Sequence, residues 1–412
     1  MYPSPTVLGK FGHFSLAHKS LWAISLMLLF VLLFDGILGY TVPVLLTQNG
    51  LTKTQLGLVF SFSSVAGAAF DFLLAKFINK VNFRRLFLVM FGVCLVYALL
   101  LFKANSLILY LAAMVLWGIY FDLIGFGVFD YVGRFTKKSE HAQSFGIMDV
   151  FRSIGNLLAP LIAGFLVIEY VDYKPFALAI LFLCIAWVFY VVLLKNTSLA
   201  LVNPDKFTRS KSLVLEFKIW SKIGRKILPV VVFIVFISCY DAFFWTLGPL
   251  ISEGLSEVGP FGGLFLTVYF LPSMFMGLFA GKITKRVGQK RTSFYALFLG
   301  STVLMFLGSI TNSILLLIVV FTSSVLSAVA WPAIRGAYAD YVSEAPNVEA
   351  ELDGLGDLSA NIGYIIGPAT AGFLADQVGN LQVFSILGIG GVVLSLILLK
   401  LTPRHINIPK KI

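Results

Sequence analysis

The sequence predicts an all-α integral membrane protein of twelve transmembrane helices, built as two pseudo-symmetric six-helix halves, and three observations lead there. The first is composition: 412 residues, 58% hydrophobic and 12% charged, leave too little polar surface to cover a water-facing globule. The second is a set of twelve apolar runs of about 17 to 25 residues each. Such runs suit helices crossing a hydrocarbon core of roughly 30 Å and are too long and continuous for barrel strands. The third is an internal repeat. Ala75 to Arg85, AKFINKVNFRR, returns 206 residues later as Gly281 to Arg291, GKITKRVGQKR, and each copy is a basic turn that closes one apolar run and opens the next.

Taken in order, spans 1 to 6 are expected at Leu21–Val44, Leu56–Ile78, Leu86–Phe102, Leu107–Tyr131, Gly146–Ile168 and Pro175–Leu194, so residues 1–194 make one bundle. Residues 195–226 hold eight Lys or Arg and form a basic linker. Within it Leu213 to Trp220 reads either as a short amphipathic helix on the membrane surface or as part of a solvated connection. Residues 227–412 form the second bundle, with spans at Ile227–Ile251, Gly262–Ala280, Ser293–Ile310, Ser313–Ala339, Leu355–Asp376 and Leu381–Leu401.

The two halves correspond in detail. Asp35, Pro43 and Gly57 fall on Asp241, Pro249 and Gly263, and Asp130 ends span 4 as Asp340 ends span 10. Span 5, GIMDVFRSIGNLLAPLIAGFL from Gly146, overlies span 11, GLGDLSANIGYIIGPATAGFL from Gly354. In the basic turns the pivot is Asn82 in one copy and Gly288 in the other, the residue types that most readily enter left-handed backbone.

Charge sets the orientation and narrows the partners. The net charge is +11, and with alternate connections taken as cytoplasmic, 26 of the 31 Lys and Arg lie on that side. This is a positive-inside distribution with both termini cytoplasmic, expected in a plasma (inner) membrane, and not a nucleic-acid-binding surface. The three cysteines lie inside apolar runs and the four histidines in tails or connections. No disulfide framework, metal site or catalytic centre is therefore expected, no cofactor, and no enzyme. No phosphate-cradling loop of the G-x-x-x-x-G-K-[ST] type occurs, so energy is expected from an ion gradient or the substrate's own.

With these residues in view, the chain resembles the major facilitator superfamily over nearly all its length. That family's inner-loop motif, G-x-L-A-D-R-x-G-R-R, is matched at Gly281, Arg286, Gly288, Lys290 and Arg291, and more weakly at Lys80, Arg84 and Arg85, with Asn79 and Lys285 at the motif's Asp. The resemblance implies the family's twelve-helix fold and alternating access. It also implies a cytoplasmic gate in which Lys80 pairs with Asp130 and Arg286 with Asp340. Span 5 is similar to the glycine motif of drug exporters at Gly146, Gly155, Pro160 and Gly164. Because that spacing recurs at Gly354, Gly363, Gly367, Pro368 and Gly372, it reads as a packing and hinge device, with Gly155, Pro160, Gly363 and Pro368 the hinges.

Charges inside the bilayer are the remaining candidates. An Asp at a helix centre costs about 2.5 to 3.5 kcal/mol, so it is kept where it faces a cavity or a partner. Asp35, Asp71, Asp122 and Asp241 are candidates for coupling or substrate binding, with Arg152 and Arg335 as partners. Tyr240 and Trp245 beside Asp241 offer aromatic faces to a lipophilic cation. A salt bridge between Asp122 and Arg152 is expected, and Arg335 is expected to pair with a carboxylate. The acidic run Glu344, Glu349, Glu351, Asp353 and Asp357 is expected to face the basic turn Lys76–Arg85 in an inside gate, with Asp149 in the same charge set. The functional expectation is a monomeric secondary transporter in the lipid bilayer, exporting an amphipathic or drug-like small molecule in exchange for protons. The alternative is a symporter taking up a sugar or other metabolite with H⁺ or Na⁺.

Overall fold

The computed structural model describes residues 19–77, 82–136, 140–167, 170–197, 220–221, 224–225, 227–258, 263–344 and 349–403. Lys80 and nearly all of the basic linker, with its expected surface helix, lie outside the described residues.

Among the described residues, each expected span is occupied by helix. The first half holds Lys19–Gln48, Lys53–Phe77, Phe83–Lys103, Leu107–Phe135, His141–Leu166 and Lys174–Asn196 as spans 1 to 6. The second holds Leu228–Val258, Leu264–Val287 and Gln289–Leu304 as spans 7 to 9. Span 10 is two helices, Ser313–Ser327 and Ala330–Glu344, and spans 11 and 12 are Glu349–Val378 and Asn380–Leu401. Among the described residues, ten helical stretches are long and apolar enough to cross a membrane, and the bent helix of span 8 makes an eleventh. That helix turns by 71° between Leu264–Met276 and Gly281–Val287. Pro272 lies inside it and removes one rung of the hydrogen-bond ladder.

Large apolar side chains such as Ile108, Phe129 and Phe165 stand on the outside of the bundle, as a lipid solvent allows. Span 1 is the opposite case. Every residue from Val31 to Val44 is buried, so a polar group in that stretch has to be satisfied by protein.

The basic turns differ from expectation in one respect. Gly288 adopts φ +87°, the left-handed conformation expected of it. Asn82 instead stays extended at φ −111° and uses its side chain to accept the Arg85 N–H at 3.2 Å, capping span 3. The duplicated turn is closed by backbone freedom in one copy and by a side-chain cap in the other.

At the end of the bundle carrying Lys53 the two halves meet closely. Gly57 of span 2 lies against the Pro368 carbonyl of span 11, with no room for a methyl group, and Gly372 lies equally close to the Lys53 carbonyl. The duplicated contact puts Gly263 of span 8 on Pro160 and Leu161 of span 5. Asp376 fastens the first pair: its carboxylate accepts the Lys53 N–H at 3.1 Å, the Thr54 N–H at 2.8 Å and the Thr54 hydroxyl at 2.6 Å. It is a helix cap supplied by the other half of the molecule. Asp376→Ala removes it, and a loss of about 0.5 to 2 kcal/mol is expected, read as a lowered unfolding midpoint in detergent. The same change at its exposed neighbour, Gln377→Ala, should leave the midpoint unchanged.

Candidate functional site

Spans 1 and 7, the first helix of each half, carry the two central carboxylates. Asp35 is 6% exposed. Its Oδ1 accepts the Trp117 indole N–H at 2.7 Å and the Tyr120 hydroxyl at 2.5 Å, both from span 4. Rings seal that arrangement: Phe60 packs edge-on to Trp117, and Phe34 and Tyr97 pack on Tyr120. Arg152 of span 5 supplies a positive field at Asp35.

Asp241 is more open than Asp35. Oδ1 accepts the Tyr269 hydroxyl of span 8 at 2.7 Å, and Oδ2 accepts the Tyr364 hydroxyl of span 11 at 2.9 Å. Tyr269 stacks on Phe244 with ring centroids 3.8 Å apart. Trp245, one turn beyond Asp241, packs on Phe270 and reaches across to Gly39 of span 1, where an added methyl carbon would meet its ring at 3.7 Å. The Gly39 contact places Trp245 and Asp241 at the junction of the halves. Arg335 lies over the Trp331 ring at 5.1 Å and makes no ion pair among the described residues, and its charge is felt at Tyr364.

A third acidic pair lies in the first half. Asp71 of span 2 and Asp122 of span 4 lie close enough to interact. Gly67 makes the room, since a methyl carbon there would lie 2.9 Å from Asp122 Oδ2. Among the described residues no group donates to the buried Asp71 Oδ1 or Asp122 Oδ2. Asp357 of span 11 adds a third negative group felt at Asp71, across the junction of the halves.

Several expected partners are elsewhere. Arg152 pairs with Asp149 at 3.8 Å and not with Asp122, because residues three apart share a helix face while Asp122 is turned toward span 2. Tyr240 points away from Asp241 into the second half, bonding Ser323 at 2.9 Å and packing on Phe244. Asp130 pairs with Arg134 at 2.7 Å and caps span 3 through the Phe83 N–H at 2.7 Å. Its expected partner Lys80 lies outside the described residues, as do the side chains of Glu344, Glu349, Glu351 and Asp353. Arg84 binds Thr197 at the end of span 6, and Arg85 is exposed. Arg286 is exposed and is not ion-paired with Asp340 among the described residues. Gly155 and Gly363 seat spans 5 and 11 against spans 1 and 7, touching Leu32 and Ser238.

Trp117, Tyr120, Tyr269 and Tyr364 are the site residues that sequence reasoning missed. The spacing Trp117-x-x-Tyr120, one polar-tipped aromatic face on span 4, was the available signal.

Comparison with known proteins agrees with this architecture. The family model described as Major Facilitator Superfamily matches residues 24–259 and 231–411. Quinolone resistance protein NorA of Staphylococcus aureus strain N315 is 25% identical over 399 residues, covering 92% of this chain and 96% of that protein, and the protein of strain MRSA252 is 24% identical over the same span. Among solved structures, the nucleoside transporter NupG superimposes with a TM-score of 0.73 at 11% identity, over 94% of this chain and all of that one. The peptide transporter POT does so with 0.73 at 15% identity, over 98% and 96%. At those identities the two structures speak to the fold.

Proposed function

The chain belongs to the Major Facilitator Superfamily, and from that premise we propose that it exports an amphipathic, cationic small molecule in exchange for protons. The observation that carries this reading is Asp241. Its carboxylate is held between two phenol hydroxyls, one turn from Trp245, whose ring meets Gly39 of the other half. A carboxylate flanked by aromatic faces suits a lipophilic cation, which the rings attract and the charge neutralises. The similarity to a quinolone resistance protein supports a drug-like substrate.

In this reading Asp35 is a positioning residue that fastens span 1 to span 4. The Asp71–Asp122 pair carries the exchangeable proton. The protein works as a monomer in the plasma membrane with both termini cytoplasmic, so the Lys53 end faces outward. Alternating access rocks the halves about the Asp241 site.

The test is flux in proteoliposomes under an imposed pH gradient, with lipophilic cations screened beside simple sugars, for wild type and Asp241→Asn. Expected is proton-driven movement of a lipophilic cation, reduced more than about tenfold by the substitution through a raised KM, since a desolvated charge contact is lost. Sugar flux alone, or flux that follows Na⁺, would replace this reading with uptake by symport.

A further inference from the structure

We propose that the groove between the basic turn Arg286–Arg291 and the end of span 12 binds the headgroup of an anionic phospholipid. The groove encloses about 500 Å³. Arg286, Lys290 and Arg291 line one side, and Leu398, Leu399 and Thr402 the other.

Four features point to a phosphate with acyl chains attached. Neither Arg286 nor Arg291 has an ion-pair partner among the described residues. Lys290 is directed by its bond to the Pro403 carbonyl at 3.2 Å, which holds its charge at the groove. Span 9 starts here at Gln289 with no side chain capping it, so its first amides point outward as donors at the positive end of a 16-residue helix. Thr402, in the groove wall, is 9% exposed, and its buried hydroxyl has no partner among the described residues. A phosphodiester is the acceptor that suits unpaired guanidinium groups beside free helix amides.

The apolar surroundings favour a lipid over a soluble phosphate. Tyr295 lines the groove and is 44% exposed, and on span 12, next to the lining residue Thr402, Leu401 is 69% exposed. Below them Ile397 and Leu396 continue the lipid-facing surface of span 12. A headgroup seated among the cations has its chains led directly onto that surface, which is how basic recesses between membrane helices hold anionic lipids.

Native mass spectrometry of the full chain tests this, with phosphatidylglycerol, phosphatidylcholine and inorganic phosphate titrated separately against wild type, the double variant R286Q/R291Q, and T402V. Phosphatidylglycerol is expected to be retained in preference to phosphatidylcholine, with affinity falling about tenfold in the double variant and severalfold in T402V, as lost charge-assisted and neutral hydrogen bonds imply. A photoactivatable phosphatidylglycerol analogue on wild type should label spans 9 and 12, a readout independent of how the variants fold. Unchanged phosphatidylglycerol binding in the variants, labelling confined to other spans, or inorganic phosphate displacing the lipid at equal concentration would each overturn the proposal.

Discussion

Replacing Gly57 with alanine is expected to reduce transport more than about tenfold while the helices stay folded. The added methyl group meets the Pro368 carbonyl and the Ala369 backbone, and backbone on both sides cannot rotate away as a side chain would. Overpacking of this kind costs about 1 to 3 kcal/mol, enough to shift a two-state equilibrium by roughly 5- to 150-fold. Because the contact joins the halves at the Lys53 end, the cost falls on the arrangement closed at that end. Spin labels at Ile108 and Thr311, one on each half at that end, should move toward the longer-distance population. Gly263→Ala at the duplicated contact should act the same way. A distance distribution identical to wild type would mean that the junction yields elsewhere.

Asn at both Asp71 and Asp122 is expected to uncouple the protein. With one proton exchanged per substrate, a pH difference of one unit sustains about a tenfold substrate gradient, since one pH unit is about 1.4 kcal/mol. The double variant should collapse that gradient to equality while downhill exchange continues, because Asp241 and its phenols are untouched. Asp357 gives the pair a mechanical outlet. In the proposed exchange, loss of the proton from the pair leaves negative charge on span 2 near Asp357 of span 11, and like charges across the junction favour parting of the halves at the Arg84 end. Asp357→Asn should therefore leave substrate affinity unchanged and slow the proton-driven step. Equal pH-driven accumulation by wild type and the Asn pair would move the proton carrier to another group.

The spans, the duplication and the paired positions of Asp35 with Asp241 and Gly57 with Gly263 were legible in the sequence, because span length and repeat offset are properties of one chain read linearly. Neighbours were not. Apart from Trp117 and Tyr120 on span 4, spans 4 and 8 offer little polar stripe to tell which face meets which helix. Asp35 and Asp241 are equivalent in the repeat, yet one takes its donors from span 4 and the other from spans 8 and 11. The Asp122–Arg152 pair failed for a related reason: proximity in depth along adjacent helices does not fix rotation about the helix axis. The acids that met instead, Asp71 and Asp122, were visible as unpaired charges, but their union depends on the space left by Gly67.

The doubled glycine contact at the Lys53 end also constrains how the molecule can move. Three near-backbone contacts, Gly57 on Pro368, Gly372 on Lys53 and Gly263 on Pro160, leave no slack for one half to slide along the other at this end. Opening of the far end can leave these contacts intact, whereas opening of the near end has to break them, so the barrier to exchange between the two arrangements sits at the Lys53 end.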